Sequence, residues 1–211
     1  MTDTENTLPR RRAILDSAAG LFDSRGYAET TIEEIAEGAG ISKGSVYNYF
    51  RSKHDLFTQL FDDQTALDQA DVDRMTAEPG PAAGKIGQLL DLWYSRLEHY
   101  RRVGRLTLEF WATAAREPQE GEITGTLHTV HDRWLDRIAR IIQQGIDQGE
   151  FHAWINPRVA AALLMGVTDG LLVHIVVGIG VGVEVDELFM AALKRSVLAA
   201  LGAQVDKETE H

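Results

Sequence analysis

Three short stretches of this 211-residue sequence combine residue types and spacings that can do chemistry. Gly40-Ile41-Ser42-Lys43-Gly44 has the G-x-S-x-G spacing, in which a sharp turn after a strand lifts a serine hydroxyl above a sheet. That geometry needs a strand ahead of the serine. Thr31-Ile32-Glu33-Glu34 instead has the form of a capping box, which opens a helix, so a serine hydrolase is only a remote alternative. Gly178-Ile179-Gly180-Val181-Gly182 begins like a dinucleotide loop. However, Val183 occupies the place of the last glycine, no phosphate-binding helix follows, and a flexible link fits better. His128 and His131 fall at i, i+3, but two imidazoles without further ligands do not hold a metal. The sequence has no cysteine, which excludes thiolate catalysis, disulfides and Cys-ligated metals. We expect no catalytic residue, no cofactor and no metal; the chain reads as a non-enzyme.

Ser42-Lys43-Gly44-Ser45 has a second use. Small and polar residues at the tip of a short helix suit a recognition helix entering the DNA major groove, where acids facing phosphate would be repelled. Net charge is −11, which argues against nucleic acid for the molecule as a whole. Its distribution is uneven. Residues 1–55 carry a net −2 and residues 56–211 a net −9, while residues 41–54 hold Lys43, Arg51 and Lys53 with no acid. Arg10, Arg11 and Arg12 form a second basic cluster.

The elements that must position these residues read as helices throughout. Ile14, Leu15, Ala18, Leu21 and Phe22 share one face of a helix over residues 11–25, with Gly26 as its stop. Thr31 caps a short second helix ended by Gly38 and Gly40, Ser42 caps a third running to about Tyr49, and Ser52 caps a fourth. Two short helices about a glycine-containing turn are a helix-turn-helix. Beyond the break at Glu78-Pro79-Gly80-Pro81, a helix is expected over about 82–100. Another contains Leu106, Phe110, Trp111 and Ala114 and closes at Pro118. A further helix from His131 carries Trp134, Ile138 and Ile141, with an Asp136–Arg140 pair opposite. Asn156-Pro157 opens a mostly apolar helix to about Val177, and Asp186 a last one ending near Gly202. Residues 178–185 leave room for an extended segment.

Ile14-Leu15, Ala18, Leu21-Phe22, Gly26-Tyr27, Thr30-Thr31-Ile32, Ile35-Ala36, Ala39-Gly40-Ile41-Ser42-Lys43-Gly44, Tyr47, Tyr49-Phe50, Ser52-Lys53 and Leu56, in this order and spacing, closely resemble the DNA-binding domain of TetR-family transcriptional regulators. The resemblance covers about the first 56 residues. His54 departs from it, standing where an acid is common, and the remaining three quarters match only in general layout. The resemblance implies operator DNA as partner, with Thr31, Tyr47, Tyr49 and Lys53 on phosphates. Lys43, Ser45 and Asn48 would lie toward base edges, with Ser42 and Gly44 completing the tip. It also implies a homodimer formed through the last two long helices, and repression relieved by a small-molecule effector. An activator, or a regulator without an effector, is the alternative.

The second part of the chain gives softer signals. Ala162, Gly166 and Gly170 recur every four residues, a smooth stripe that lets another helix approach. Trp93, Tyr94, Phe110, Trp111 and Trp134 supply aromatic surface, and Met165 lies one turn before Asp169. Glu109 and Asp169 fall among apolar neighbours, where a carboxylate must be paired or protonated. Each could meet a cationic effector, although Glu109 has Arg105 one turn before it as an internal partner. Trp93, Glu109, Phe110, Trp111, Trp134, Met165 and Asp169 are the candidate ligand residues. The expected architecture is all-α. An N-terminal three-helix helix-turn-helix domain (residues 1–55) precedes a larger helical ligand-binding and dimerisation domain (56–205) and a tail (206–211). Acids at the N-terminus do not suit a signal peptide, and the longest charge-poor run, 170–183, is short for a membrane helix. The expectation is a cytoplasmic protein with no membrane partner.

Overall fold

A computed structural model of the chain describes residues 3–116, 121–179 and 182–203. The described residues form nine α-helices and no strand: α1 (Asp3–Arg25), α2 (Ile32–Gly38), α3 (Lys43–Val46), α4 (Lys53–Ala77), α5 (Ala82–Ser95), α6 (Leu97–Ala114), α7 (Glu122–Asp147), α8 (Pro157–Val177) and α9 (Glu187–Leu201). Pro118, Gly180, Val181 and the tail 206–211 lie outside the described residues. The described parts of 178–185 contain no strand.

Caps fix most of these boundaries. Thr31 and Glu34 form the expected capping box, and Ser42 accepts from the Ser45 amide. Asn156 accepts from the Arg158 and Val159 amides, and Asp186 from Phe189. Each cap satisfies amide groups that the first turn leaves without a partner. Gly178 and Gly202 close α8 and α9 in the left-handed conformation, at φ of 76° and 88°. Four helices differ from expectation, one of them α7, which begins at Glu122, ahead of His131. The first begins at Asp3 and takes Pro9 into its early turns. The third ends at Val46, with Tyr47–Tyr49 continuing as a turn. The helix expected over 82–100 is broken at Arg96, so α5 and α6 are separate.

The chain divides into two compact units, Met1–Leu67 with Arg105–Thr129 and Asp68–Gly104 with Val130–His211. The core of the first unit includes Ile14, Leu15, Phe22, Ile35, Val46, Phe50, Leu56, Phe57 and Phe110. Phe61 and Phe110 stack with centroids 4.2 Å apart. In the second unit Ile86, Leu90, Ile138, Ile141, Ile142, Phe151, Leu164 and Met190 form one cluster. Gly145 makes room there for Phe151: a Cβ would fall 2.2 Å from its ring. Two polar ties hold the second unit. Lys85, buried, donates to the Thr76 carbonyl and to Gln144 Oε1 (3.2 and 2.9 Å). Asp136, expected to pair with Arg140, pairs with Arg158 on α8 instead, while Arg140 Nε donates to the Asp136 carbonyl.

Helix α5 has no side-chain cap of its own, because its N-cap is Pro81. Glu150 supplies one from the turn after α7: its two oxygens accept from the Ala82 and Ala83 amides at 3.0 and 2.9 Å. A carboxylate there also meets the positive end of the helix dipole. Glu150→Ala is expected to destabilise the chain by about 1–2 kcal/mol. Thermal melting monitored by circular dichroism checks this, and an unchanged midpoint would leave Glu150 without a capping role.

Candidate nucleic-acid interface

The residues expected to read DNA gather around α3. Val46 turns inward and is fully buried, as is Phe50, while Ser42, Lys43, Gly44, Tyr47 and Asn48 are exposed and Ser45 and Tyr49 are half-buried. One buried residue per turn thus anchors the segment and leaves the rest of its circumference open. A Cβ on Gly44 would find only Ser42 Oγ, at 4.0 Å. The chain itself therefore does not require glycine there. Lys43 Nζ donates to Glu33 on α2, which raises the lysine's pKa and lowers the carboxylate's. Both side chains are half exposed or more, and such pairs contribute little, so Lys43 leaves Glu33 at small cost. Sequence reading missed Glu33; only the short turn between α2 and α3 brings it beside Lys43.

Thr31 sits exposed at the head of α2, its hydroxyl and amide both on Glu34, which Arg25 at the end of α1 also contacts at 2.6 Å. Lys53 is placed differently from expectation. Its ammonium donates to the carbonyls of Tyr27, Ala28 and Thr30 (2.8, 3.3 and 2.8 Å) and lies 4.4 Å from the Tyr27 ring centroid. An ammonium has three donors, and all are committed within the chain. Burial pushes its pKa down. In this structure Lys53 clamps the loop between α1 and α2.

The seven candidate ligand residues divide between the two units. Glu109, Phe110 and Trp111 belong to the first, and Trp93, Trp134, Met165 and Asp169 to the second. Phe110 is fully buried against Phe57 and Phe61, a core residue. Glu109 accepts from the Tyr27 amide at 3.1 Å, and this contact, not Arg105, is its partner. In the second unit Trp93 and Met165 pack on the hydrophobic cluster. Burial pushes the Asp169 carboxyl above its ordinary pKa, with His131 on α7 pulling the other way. Among the described residues no three His, Asp or Glu side chains come together as a metal site.

A short capped helix with polar residues outward, joined by a tight turn to a second helix and seated on an apolar three-helix core, defines a helix-turn-helix DNA-binding protein. The comparisons give its family. The family model "Bacterial regulatory proteins, tetR family" matches residues 14–60, and "BetI-type transcriptional repressor, C-terminal" matches residues 83–202. The chain belongs to the tetR family and is a DNA-binding transcriptional regulator. It is 28% identical over 166 residues to the uncharacterized HTH-type transcriptional regulator YfiR of Bacillus subtilis (strain 168), covering 77% of this chain and 78% of that one. Two solved structures share its fold. A transcriptional regulator from Saccharomonospora viridis in complex with choline has a TM-score of 0.69 at 22% identity, covering 92% of this chain and 96% of its own. FadR from Bacillus subtilis in complex with stearoyl-CoA has a TM-score of 0.67 at 21% identity, covering 92% and 99%.

Proposed function

We propose that the chain is a homodimeric repressor, acting on cytoplasmic DNA, whose hold on its operator is released by a cationic small molecule. Residues 1–55 read the DNA; residues 56–205 bind the effector and dimerise, with 206–211 a tail. Lys43, Ser45 and Asn48 face base edges, Ser42 and Gly44 let the tip approach, and Thr31, Tyr47 and Tyr49 hold phosphates. Lys53 contributes through the loop that carries Thr31. The observation that carries the choice of effector class is Asp169. A half-buried carboxylate, its pKa raised by burial and with no hydrogen bond or ion pair among the described residues, favours a cation over an acyl-CoA. Met165 one turn before it on α8, and Trp134 one turn after His131 on α7, offer apolar and aromatic surface for such a cation.

The dimer reading rests on α8 and α9. Leu163, Val167 and Val177 on α8 and Leu188 on α9 are exposed, Leu163 and Leu188 at 69% and 73%. By length and composition α8 is long and apolar enough to cross a membrane. A second copy of the chain covers the same apolar face and leaves α8 in water-soluble protein.

DNA recognition is tested by selecting duplexes from a randomised pool with the full-length protein. The selected site should be roughly palindromic, with half-sites one helical turn or a multiple apart. Lys53→Ala should weaken binding to every duplex alike while leaving the salt slope nearly unchanged. A phosphate contact would instead lower that slope by about 0.9. A lowered slope would return Lys53 to the phosphate; no selected sequence would sink the operator reading.

A further inference from the structure

Tyr27 is gripped from two sides by opposite charges. Its N–H donates to Glu109 Oε1 at 3.1 Å, and its carbonyl accepts from Lys53 Nζ at 2.8 Å. Its ring lies 4.6 Å from Phe57, which in turn meets Phe110, the neighbour of Glu109 on α6. Backbone and ring of one loop residue therefore both answer to α6. The loop leads directly to α2: the buried Thr30 donates to the Gly26 carbonyl at 2.8 Å and gives its own carbonyl to Lys53, and Thr31 is the cap of α2.

Local stability does not explain a carboxylate at this place. Glu109 Oε1 would lie 3.6 Å from a Cβ on Gly26, at the carboxyl end of α1, where the helix dipole is negative and an acid is unfavourable. The Gly26 amide is already satisfied by the Phe22 carbonyl at 2.9 Å. A neutral acceptor would serve Tyr27 without that repulsion. Glu109 and Lys53 instead hold the amide and the carbonyl of the same loop residue, and the charge on each strengthens its own bond.

We propose that Glu109 is a positioning residue for DNA recognition. With Lys53 it fixes the α1–α2 loop, hence Thr31 and the α2–α3 pair. The proposal rests on the operator reading above. The first measurement needs no DNA, so failure of one is distinguishable from failure of the other.

The test uses the full chain with Glu109→Leu, Glu109→Gln, Lys53→Met and the Leu/Met double variant. In Glu109→Leu the Tyr27 amide should exchange with solvent about tenfold faster, and affinity for the duplex selected by wild type should fall by about tenfold. Glu109→Gln keeps an acceptor and should bind DNA within about threefold of wild type while exchanging Tyr27 measurably faster, since the bond is no longer charge-assisted. The double variant should lose no more affinity than the worse single one, because both act on one loop; a purely structural role would give additive losses. Wild-type exchange at Tyr27 in Glu109→Leu, or additive losses, would overturn the proposal. Should the Leu variant not fold, an unchanged Tyr27 exchange in Glu109→Gln would overturn it equally.

Discussion

Gly170→Leu should leave each chain folded and abolish the dimer. A Cβ at Gly166 or Gly170 meets nothing within 4 Å in the single chain, so neither glycine is required by the packing of its own unit. The inserted side chain therefore has room in the single chain. In a helix interior the change from glycine should even stabilise the monomer, by up to about 1 kcal/mol. At a two-fold interface the inserted side chain is present in both copies. Overpacking costs about 1–3 kcal/mol at each, which corresponds to roughly a 30-fold to more than 1,000-fold weaker dimer. Operator affinity should fall with it, since one recognition helix reads only half a site. Sedimentation analysis beside circular dichroism reads both halves of the expectation. A variant that stays dimeric at micromolar concentration would place the interface elsewhere, and one that unfolds would place Gly170 inside the core.

Local signals made much of this fold readable in the sequence. Thr31 with Glu34, Ser42, Asn156 before Pro157, and Asp186 all cap helices through their own next few amides, so sequence spacing suffices to find them. The Ser52 cap is equally local, its hydroxyl accepting from the Asp55 amide at 3.0 Å. The outward residues of α3 were legible for the same reason, because buried Val46 and Phe50 fix the face. What was not legible depends on partners far along the chain. Glu150 reaches α5 across 68 residues, and Glu109 reaches Tyr27 across 82. Arg105, one turn from Glu109, was the only partner that helical periodicity could offer. Lys53 looked like a phosphate ligand because its type and place suit one. Three loop carbonyls converging on it are a tertiary fact with no local sign.

Asp169→Asn should move stability and effector binding in opposite directions. Burial raises the carboxyl's pKa above 3.8, and His131 opposes this only in part. The folded state therefore takes up a proton more readily than the unfolded chain does. Stability falls as pH rises from the unfolded value through the raised folded one, and the full penalty of holding a buried charge is present at neutral pH. Asparagine removes that penalty. The free variant should melt about 2–4 °C higher at pH 7, the shift that roughly 1 kcal/mol produces in a chain of this size. The gap should close as pH is lowered through the raised folded-state pKa of Asp169 toward the ordinary carboxylate value. A cationic effector loses its counter-charge in the same substitution, and deleting one member of a partly buried charge pair typically costs about 2 kcal/mol or more, about 30-fold in affinity. Choline is a suitable probe, followed by tryptophan fluorescence and by its effect on the operator complex. If it binds wild type and releases the operator, the Asp169→Asn variant should need at least about 30 times more for the same release. Operator DNA should in turn weaken choline binding by the factor that choline weakens DNA binding. Equal choline affinity in both proteins, or a lower melting point in the variant, would make Asp169 a core acid and leave the effector's chemistry to other residues.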